Sequence, residues 1–332
     1  MRICFFLAPV LLTATLHAQD VHVRVSPDVK TGIEGTTEFP TIQMALDHHP
    51  FPGPGGRIYI EIAPGTYHER LNVTQNHPNI TLVGMGRAPQ DVVITNSLNA
   101  KQAGGTFFTE TVEVDGAAFE ADNVTFENAA GNTGQAVAMV VRADRAVFKH
   151  CRFLGYQDTL FADYGRQYYL DSYIEGAVDF IFGNATAVFD HDEIHATGPG
   201  YLTAQSRTSA DQATGYVIVD SRVTAGPGVN AGEKRSGIFL GRPWRPFARV
   251  VFMNTDLPAE IRPEGWNNWS NPANEKTAWF AEFGNTGPGA TAAARVPWAH
   301  SLTPGEARQF RPEVFLAGHD RWNPVVEAAK LP

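Results

Sequence analysis

The chain has 332 residues, 43% hydrophobic and 18% charged, with 31 Gly and 22 Pro. That balance excludes a disordered chain and supplies material for a large core. Lys and Arg number 26 against 35 Asp and Glu, a net charge of −9, which argues against a nucleic-acid partner and against gripping a bare polyanion by charge alone.

Residues 1–18 read as a secretory signal peptide: Arg2, then the apolar run 3–12, too short to cross a bilayer, then the small-residue cleavage site Leu16-His17-Ala18. A buried N-terminal strand would share the apolar run but not that order of charge, run and small residue. The mature chain is expected to start at Gln19 and, without Arg2, to carry −10. No later apolar stretch is long enough for a membrane helix, so a secreted protein is expected, extracellular or periplasmic, with no membrane contact after cleavage. Cys4 leaves with the signal and Cys151 remains alone. No internal disulfide is possible, and core packing must hold the exported chain together.

Val21, Val23 and Val25 lie among polar and turn residues. Thr41 can then cap a short helix whose apolar face is Ile42, Ala45 and Leu46. Residues 50–56, rich in Pro and Gly, break it. The runs RIYIEI (57–62), NITLV (79–83) and DVVIT (91–95) are short β-type segments bounded by Gly, Pro and Asn.

From Phe119 a repeat follows, apolar, four residues, apolar: Phe119-EADN-Val124, Phe148-KHCR-Phe153, Tyr169-LDSY-Ile174, Phe189-DHDE-Ile194, Ile218-VDSR-Val223 and Phe252-MNTD-Leu257, with starts 29, 21, 20, 29 and 34 residues apart. A β-sandwich would show turns every 8–12 residues, and a βαβ fold would need helical patterns between strands. Coils of about 20 residues with variable insertions fit a parallel β-helix instead, one elongated all-β solenoid domain over residues 19–332. That overrides the two domains that length alone suggests.

Two aspartates sit within apolar surroundings, Asp158 in GYQDTL and Asp179 at the head of DFIFG. Burying such a carboxylate is costly unless it has partners or a role. Asp158 lies ten residues after Phe148, and Asp179 ten after Tyr169. Equivalent positions on neighbouring coils stack about 4.8 Å apart. Like charges that close raise one pKa and leave the other group ionised, giving an acid and a carboxylate at one pH. Turn-forming aspartates, common in solenoids, are the plainer alternative. Gln135 starts an apolar strand and Gln157 adjoins Asp158; an amide can donate to a developing oxyanion without a charge of its own. Arg242 and Trp244 flank a Pro-stiffened turn, Arg offering a fork for a carboxylate and Trp a flat face for a sugar ring.

Taken together these residues resemble the pectin methylesterases (pectinesterases). The matching motifs run GTYHE (65–69), GQAVAM (134–139), GYQDTL (155–160), VDFIFGNA (178–185), LGRPW (240–244), EGWNNW (264–269) and AEFGNTGPGA (281–290), from about residue 40 to the C-terminus. The resemblance implies a right-handed parallel β-helix and removal of methyl groups from methyl-esterified galacturonate of pectin. It makes Asp179 the nucleophile, Asp158 the acid and later the base, Gln157 with Gln135 the oxyanion stabiliser, Arg242 the residue orienting Asp179, and Trp244 a sugar platform. Thr111, in TETV, resembles a substrate-contacting Thr, and Tyr156 and Phe180 are expected to line the cleft. No metal or cofactor is implied, the partner is pectin, and a monomer is expected.

The first 40 residues match nothing useful in the family, and no inhibitory pro-region precedes the catalytic part. With the acidic charge, that looks like a bacterial member. A pectate lyase or polygalacturonase would use the same scaffold, but a lyase usually needs Ca²⁺ held by several carboxylates, where this chain has one pair and amides. A non-catalytic sugar-binding β-helix would be expected to have lost Asp158, Asp179 or Arg242. An aspartic protease also pairs carboxylates, but Asp-Thr-Leu is not its Asp-Thr/Ser-Gly turn.

Overall fold

Every strand pairing among the described residues runs parallel, each strand bonding to the equivalent strand of the next coil (for example Tyr169 to Phe189 and Ile174 to Ile194). The structure is a computed structural model that describes residues 19–29, 36–231 and 236–332; the expected signal peptide lies outside them. The coils build a parallel β-helix. A first sheet of twelve strands runs from Val21–Val25 and its neighbour Glu38–Phe39 to Trp279–Phe283 and His300–Ser301. A second stack includes Val92–Asn96, Thr125–Asn128 and Arg152–Leu154, and a third includes Val112–Val114, Met139–Val141 and Leu160–Ala162. Two long strands, Tyr173–Gly183 and Glu193–Gln205, run through the bend and join both stacks.

The repeat maps onto this architecture. Phe148, Tyr169, Phe189, Ile218 and Phe252 are register partners in the first sheet, all buried. Phe153, Ile174, Ile194 and Val223 are partners in the second. The frame drawn at Phe119 and Val124 is two residues early. Ala121 pairs with Phe148 and Phe126 with Phe153, while Phe119 fills the space beside the small Ala121, its ring 5.7 Å from that of Phe148.

The polar centre of each repeat is the corner between these sheets. Asn123, His150, Asp171, His191, Asp220 and Asn254 occupy it with φ of 49–61°, the left-handed region that Asn, Asp and His tolerate better than other side chains. One residue on, a polar column turns inward and satisfies the corner amides. Cys151 N donates to Ser172 Oγ (3.0 Å), Ser172 N to Asp192 Oδ1 (2.7 Å) and Asp192 N to Ser221 Oγ (3.0 Å). Cys151 is buried and unpaired.

The expected helix is Ile42–His48, with Thr41 Oγ1 accepting from Met44 N and Ile42, Ala45 and Leu46 buried. Glu69 of GTYHE accepts from the free amides of Ile42 and Gln43 at its start. Sequence periodicity did not reveal the short C-terminal helices Pro304–Ala307, Pro312–Phe315 and Pro324–Ala328, because each is a single turn or little more. This C-terminal segment covers the outer face of the first sheet. Ala307, Phe310, Leu316, Trp322, Ala328 and Leu331 bury Val147, Tyr168, Val188, Val217 and Val251. No helix among the described residues is long and apolar enough to cross a membrane.

Phe148 stacks on Tyr169 (4.9 Å, 8°) and meets Phe126 and Phe153 edge-on. Phe148→Ala should therefore cost about 3–5 kcal/mol, the range for deleting a buried aromatic side chain, read as a lower urea midpoint at unchanged slope. A loss below about 1 kcal/mol would show that the aromatic column is not a main support of the solenoid.

Candidate active site

The bend between the second and third stacks carries the two aspartates. Gln135, Gln157 and Val178 are bridge partners on three successive coils, with Ala136 N donating to Gln157 O (3.0 Å) and Asp158 N to Val178 O (3.1 Å). Asp158 and Asp179 therefore stand over one another, one strand spacing apart, as the shared ten-residue offset predicts. Both adopt left-handed backbone, with φ of 62° and 52°. The bend closes tightly: a Cβ on Gly176 would sit 2.3 Å from Phe180 Cβ, and one on Gly155 2.6 Å from Thr159 Oγ1. Thr159 Oγ1 donates to Glu175 O (2.9 Å), tying one coil to the next.

Arg242 follows the strand Ile238–Gly241 and grips Asp179 with both edges of its fork, Nε to Oδ1 at 2.8 Å and Nη2 to Oδ2 at 2.6 Å. Asp179 is only 6% exposed. Burial raises its carboxyl above the usual range, and the bonds and charge of Arg242 oppose that rise. Asp158 has no such partner among the described residues. Burial first, then the charge of Asp179, push it up to about 8, against the weaker pull of Arg242. Near neutral pH the proton of the pair rests on Asp158, and Asp179 is the group held as an anion. The side-chain amides of Gln135 and Gln157 are half-buried and have no hydrogen-bond partner among the described residues.

An aromatic strip continues from the carboxylates along the outer face of the third stack. Phe161 and Phe182 stack at 4.5 Å, Trp244 lies 5.9 Å from Phe182, and the exposed Phe107 lies 5.2 Å from Phe161. Trp269 packs on the same cluster. Tyr156 is half-buried at the bend, its hydroxyl facing Gly198.

Two expected cleft residues are not there. Phe180 is fully buried and belongs to the central core, because the left-handed Asp179 turns the next side chain inward. Thr111 is also fully buried, and its hydroxyl is donated to Glu127 O at 2.7 Å, which leaves none for a substrate. Sequence reasoning missed Tyr201, Trp269, Phe161 and Phe182. The last two were within reach, since each follows its aspartate by three residues.

A cavity of about 1200 Å³ lies elsewhere, along the corner lined by Asp122, His150, Asp171 and His191, and contains neither aspartate. Asp190, His191 and Asp220 on that corner have ligand-type atoms within 4.8 Å of one another. Asp190 is already bonded by Tyr168 (2.6 Å) and His191 (2.7 Å).

The site thus brings together one protonated and one arginine-clamped carboxyl, unpartnered amides and an aromatic strip on a parallel β-helix, a combination that can serve acid, base and nucleophilic chemistry. A family model described as Pectinesterase matches residues 28–319. Pectinesterase 31 of Arabidopsis thaliana is 43% identical over 306 residues, 89% of this chain and 92% of that protein. The structure of pectin methylesterase from carrot superposes with a TM-score of 0.84 at 35% identity, covering 94% of this chain and 97% of that one. A pectin methylesterase in complex with a hexasaccharide matches at 0.74 and 28%, covering 92% and 99%. The chain belongs to the pectinesterase family. It is a carboxylic ester hydrolase acting on the methyl esters of pectin. The first two of these relatives are plant proteins, so the expected bacterial character is not supported.

The pair has a consequence for stability. Asp158 takes up its proton at about 8 when folded and at about 4 when unfolded. Its favourable contribution is complete below about pH 4 and is lost as pH rises through about 8. Asp158→Asn cannot ionise, so its stability relative to the parent should climb between those values and level off above. Urea midpoints across the range test this, and a difference that stays flat with pH would sink it.

Proposed function

We propose that Asp179 attacks the methyl-ester carbonyl of a galacturonate unit, with Asp158 as its acid and then its base. The observation that carries this is the asymmetry of the pair: Arg242 bonds both oxygens of Asp179, while the Asp158 side chain beside it has no hydrogen-bond partner among the described residues and keeps its proton. An Asp179 oxygen bonds to the carbonyl carbon, and the carbonyl oxygen becomes an oxyanion that accepts from the amides of Gln157 and Gln135. The oxyanion collapses, the carbon–methoxy bond breaks, and Asp158 gives its proton to the departing oxygen, releasing methanol. The acid is now a carboxylate. It takes a proton from water as the water oxygen attacks the acyl carbon, and Asp179 leaves as a carboxylate. The product is the free uronic acid, and Asp158 is again protonated.

Trp244 and the Phe161–Phe182 strip would carry neighbouring sugar rings, in line with the hexasaccharide held by the structural relative. Tyr156 would line the groove beside them. We further infer a secreted monomer in which residues 19–332 form one catalytic β-helix domain after removal of the signal peptide.

Methanol release from methylated pectin, with and without EDTA, tests the reaction and separates it from Ca²⁺-dependent elimination. Gln157→Ala should lower kcat by about 10²–10³; a raised KM at constant kcat would make Gln157 a binding residue only. Asp179→Asn and Asp158→Asn should both be nearly inactive on methyl esters. With an ester whose leaving group has a low pKa, Asp158→Asn should show an acylation burst and then stall, because such a group needs no proton but deacylation still needs a base. Asp179→Asn should show none. The opposite pattern would exchange the two roles.

A further inference from the structure

The second Trp of EGWNNW takes part in no step above, yet it makes one of the closest contacts in the site. The guanidinium carbon of Arg242 lies 3.8 Å from the ring centre of Trp269 and 3.8 Å from that of Tyr201. Two rings that near a flat group must cover its opposite faces. Only the edges of Arg242 remain for hydrogen bonds, and the Nε–Nη2 edge is the one that meets Asp179.

We infer that Trp269 is a positioning residue, which with Tyr201 clamps the Arg242 guanidinium in the plane that binds Asp179. The inference rests on reading Asp179 as the nucleophile. Tyr201 needs no special device, since strand pairing sets it opposite Phe239, and the two rings stack at 5.2 Å. Trp269 comes from outside the strands, and its loop is built to hold it. Trp269 and Ser270 are consecutive non-glycine residues in the left-handed region, φ 60° and 55°, a costly conformation for a bulky side chain that persists only where the surroundings enforce it. The enforcing contacts are the two asparagines of the motif. Asn267 Oδ1 accepts from Trp269 N at 2.8 Å. Asn268 Nδ2 donates to Glu275 Oε1 at 2.7 Å, and Asn268 O accepts from Asn274 Nδ2 at 3.0 Å. A ring serving only as a sugar platform would not need the half-buried Arg242 guanidinium packed against one of its faces.

The chemistry favours such a clamp. A bidentate pair needs the guanidinium in one orientation, and an aromatic face attracts a cation more strongly where water is excluded. The charged and titratable groups around the nucleophile are Arg242 on its carboxylate and Asp158 from the preceding coil, with Tyr201 against the guanidinium. Loosening Arg242 weakens what opposes protonation of Asp179.

The test is the pH profile of kcat/KM on methylated pectin for the full chain and its variants. Trp269→Leu should lower kcat about tenfold with KM little changed, and move the acid limb up by about half to one pH unit. Trp269→Phe should recover most of both, and Asn267→Ala should shift them the same way by less. An unmoved acid limb with a raised KM would make Trp269 a sugar platform and overturn the inference. If Trp269→Leu does not fold, an acid limb unmoved in both Trp269→Phe and Asn267→Ala overturns it equally. Arg242→Ala separates this from the underlying assignment: if it moves the acid limb and the Trp269 variants do not, only the clamp fails. If Arg242→Ala leaves the limb in place, the pairing of Arg242 with Asp179 is not what sets the nucleophile, and both fail.

Discussion

Parallel register between successive coils is the constraint from which the rest follows. Because each strand bonds to its equivalent one coil on, any residue type that recurs at one offset becomes a column through the molecule. Apolar residues at the strand centres give the aromatic and aliphatic columns of the core. Asn, Asp and His at the first corner give a column of left-handed residues. At the second bend, two aspartates at one offset give stacked carboxylates. The same rule that packs the interior thus forces together two like charges that no free chain would bring so close.

That proximity is unfavourable in itself. The fold tolerates it by treating the two groups differently: Arg242 reaches Asp179 from just past the strand Ile238–Gly241, and Asp158 keeps a proton. Replacing the guanidinium with a lone ammonium would supply charge without the planar fork. The acid and the anion are therefore consequences of one geometry, and neither residue would have its character alone.

Much of this was legible in the chain. The repeat, the helix after Thr41 and the common offset of the aspartates all depend on spacing, and spacing survives without coordinates. What failed depended on direction. Phe180 follows Asp179 in sequence, but the left-handed backbone of that aspartate reverses the alternation that would have turned Phe180 outward. Thr111 has the residue type for a substrate contact, but a neighbouring carbonyl takes its hydroxyl. The repeat frame at Phe119 slipped by two because the larger residue drew the assignment away from Ala121, which holds the anchor position. Tyr201 and Trp269 were hidden for another reason. Their partner is Arg242, and pairings between distant segments leave no local period to find.

The C-terminal wrap over the first sheet has its own consequence. Tyr168, Val188, Val217 and Val251 point away from the solenoid axis and are dry only because residues 307–331 lie across them. A proteolytic cut ahead of that segment would leave the carboxylates and their arginine untouched. It would also uncover a flat apolar stripe several strands wide, the kind of surface on which separate molecules adhere. The cover on this sheet and the geometry of the aspartate pair are thus secured by different parts of the chain, and the first can be lost while the second is intact.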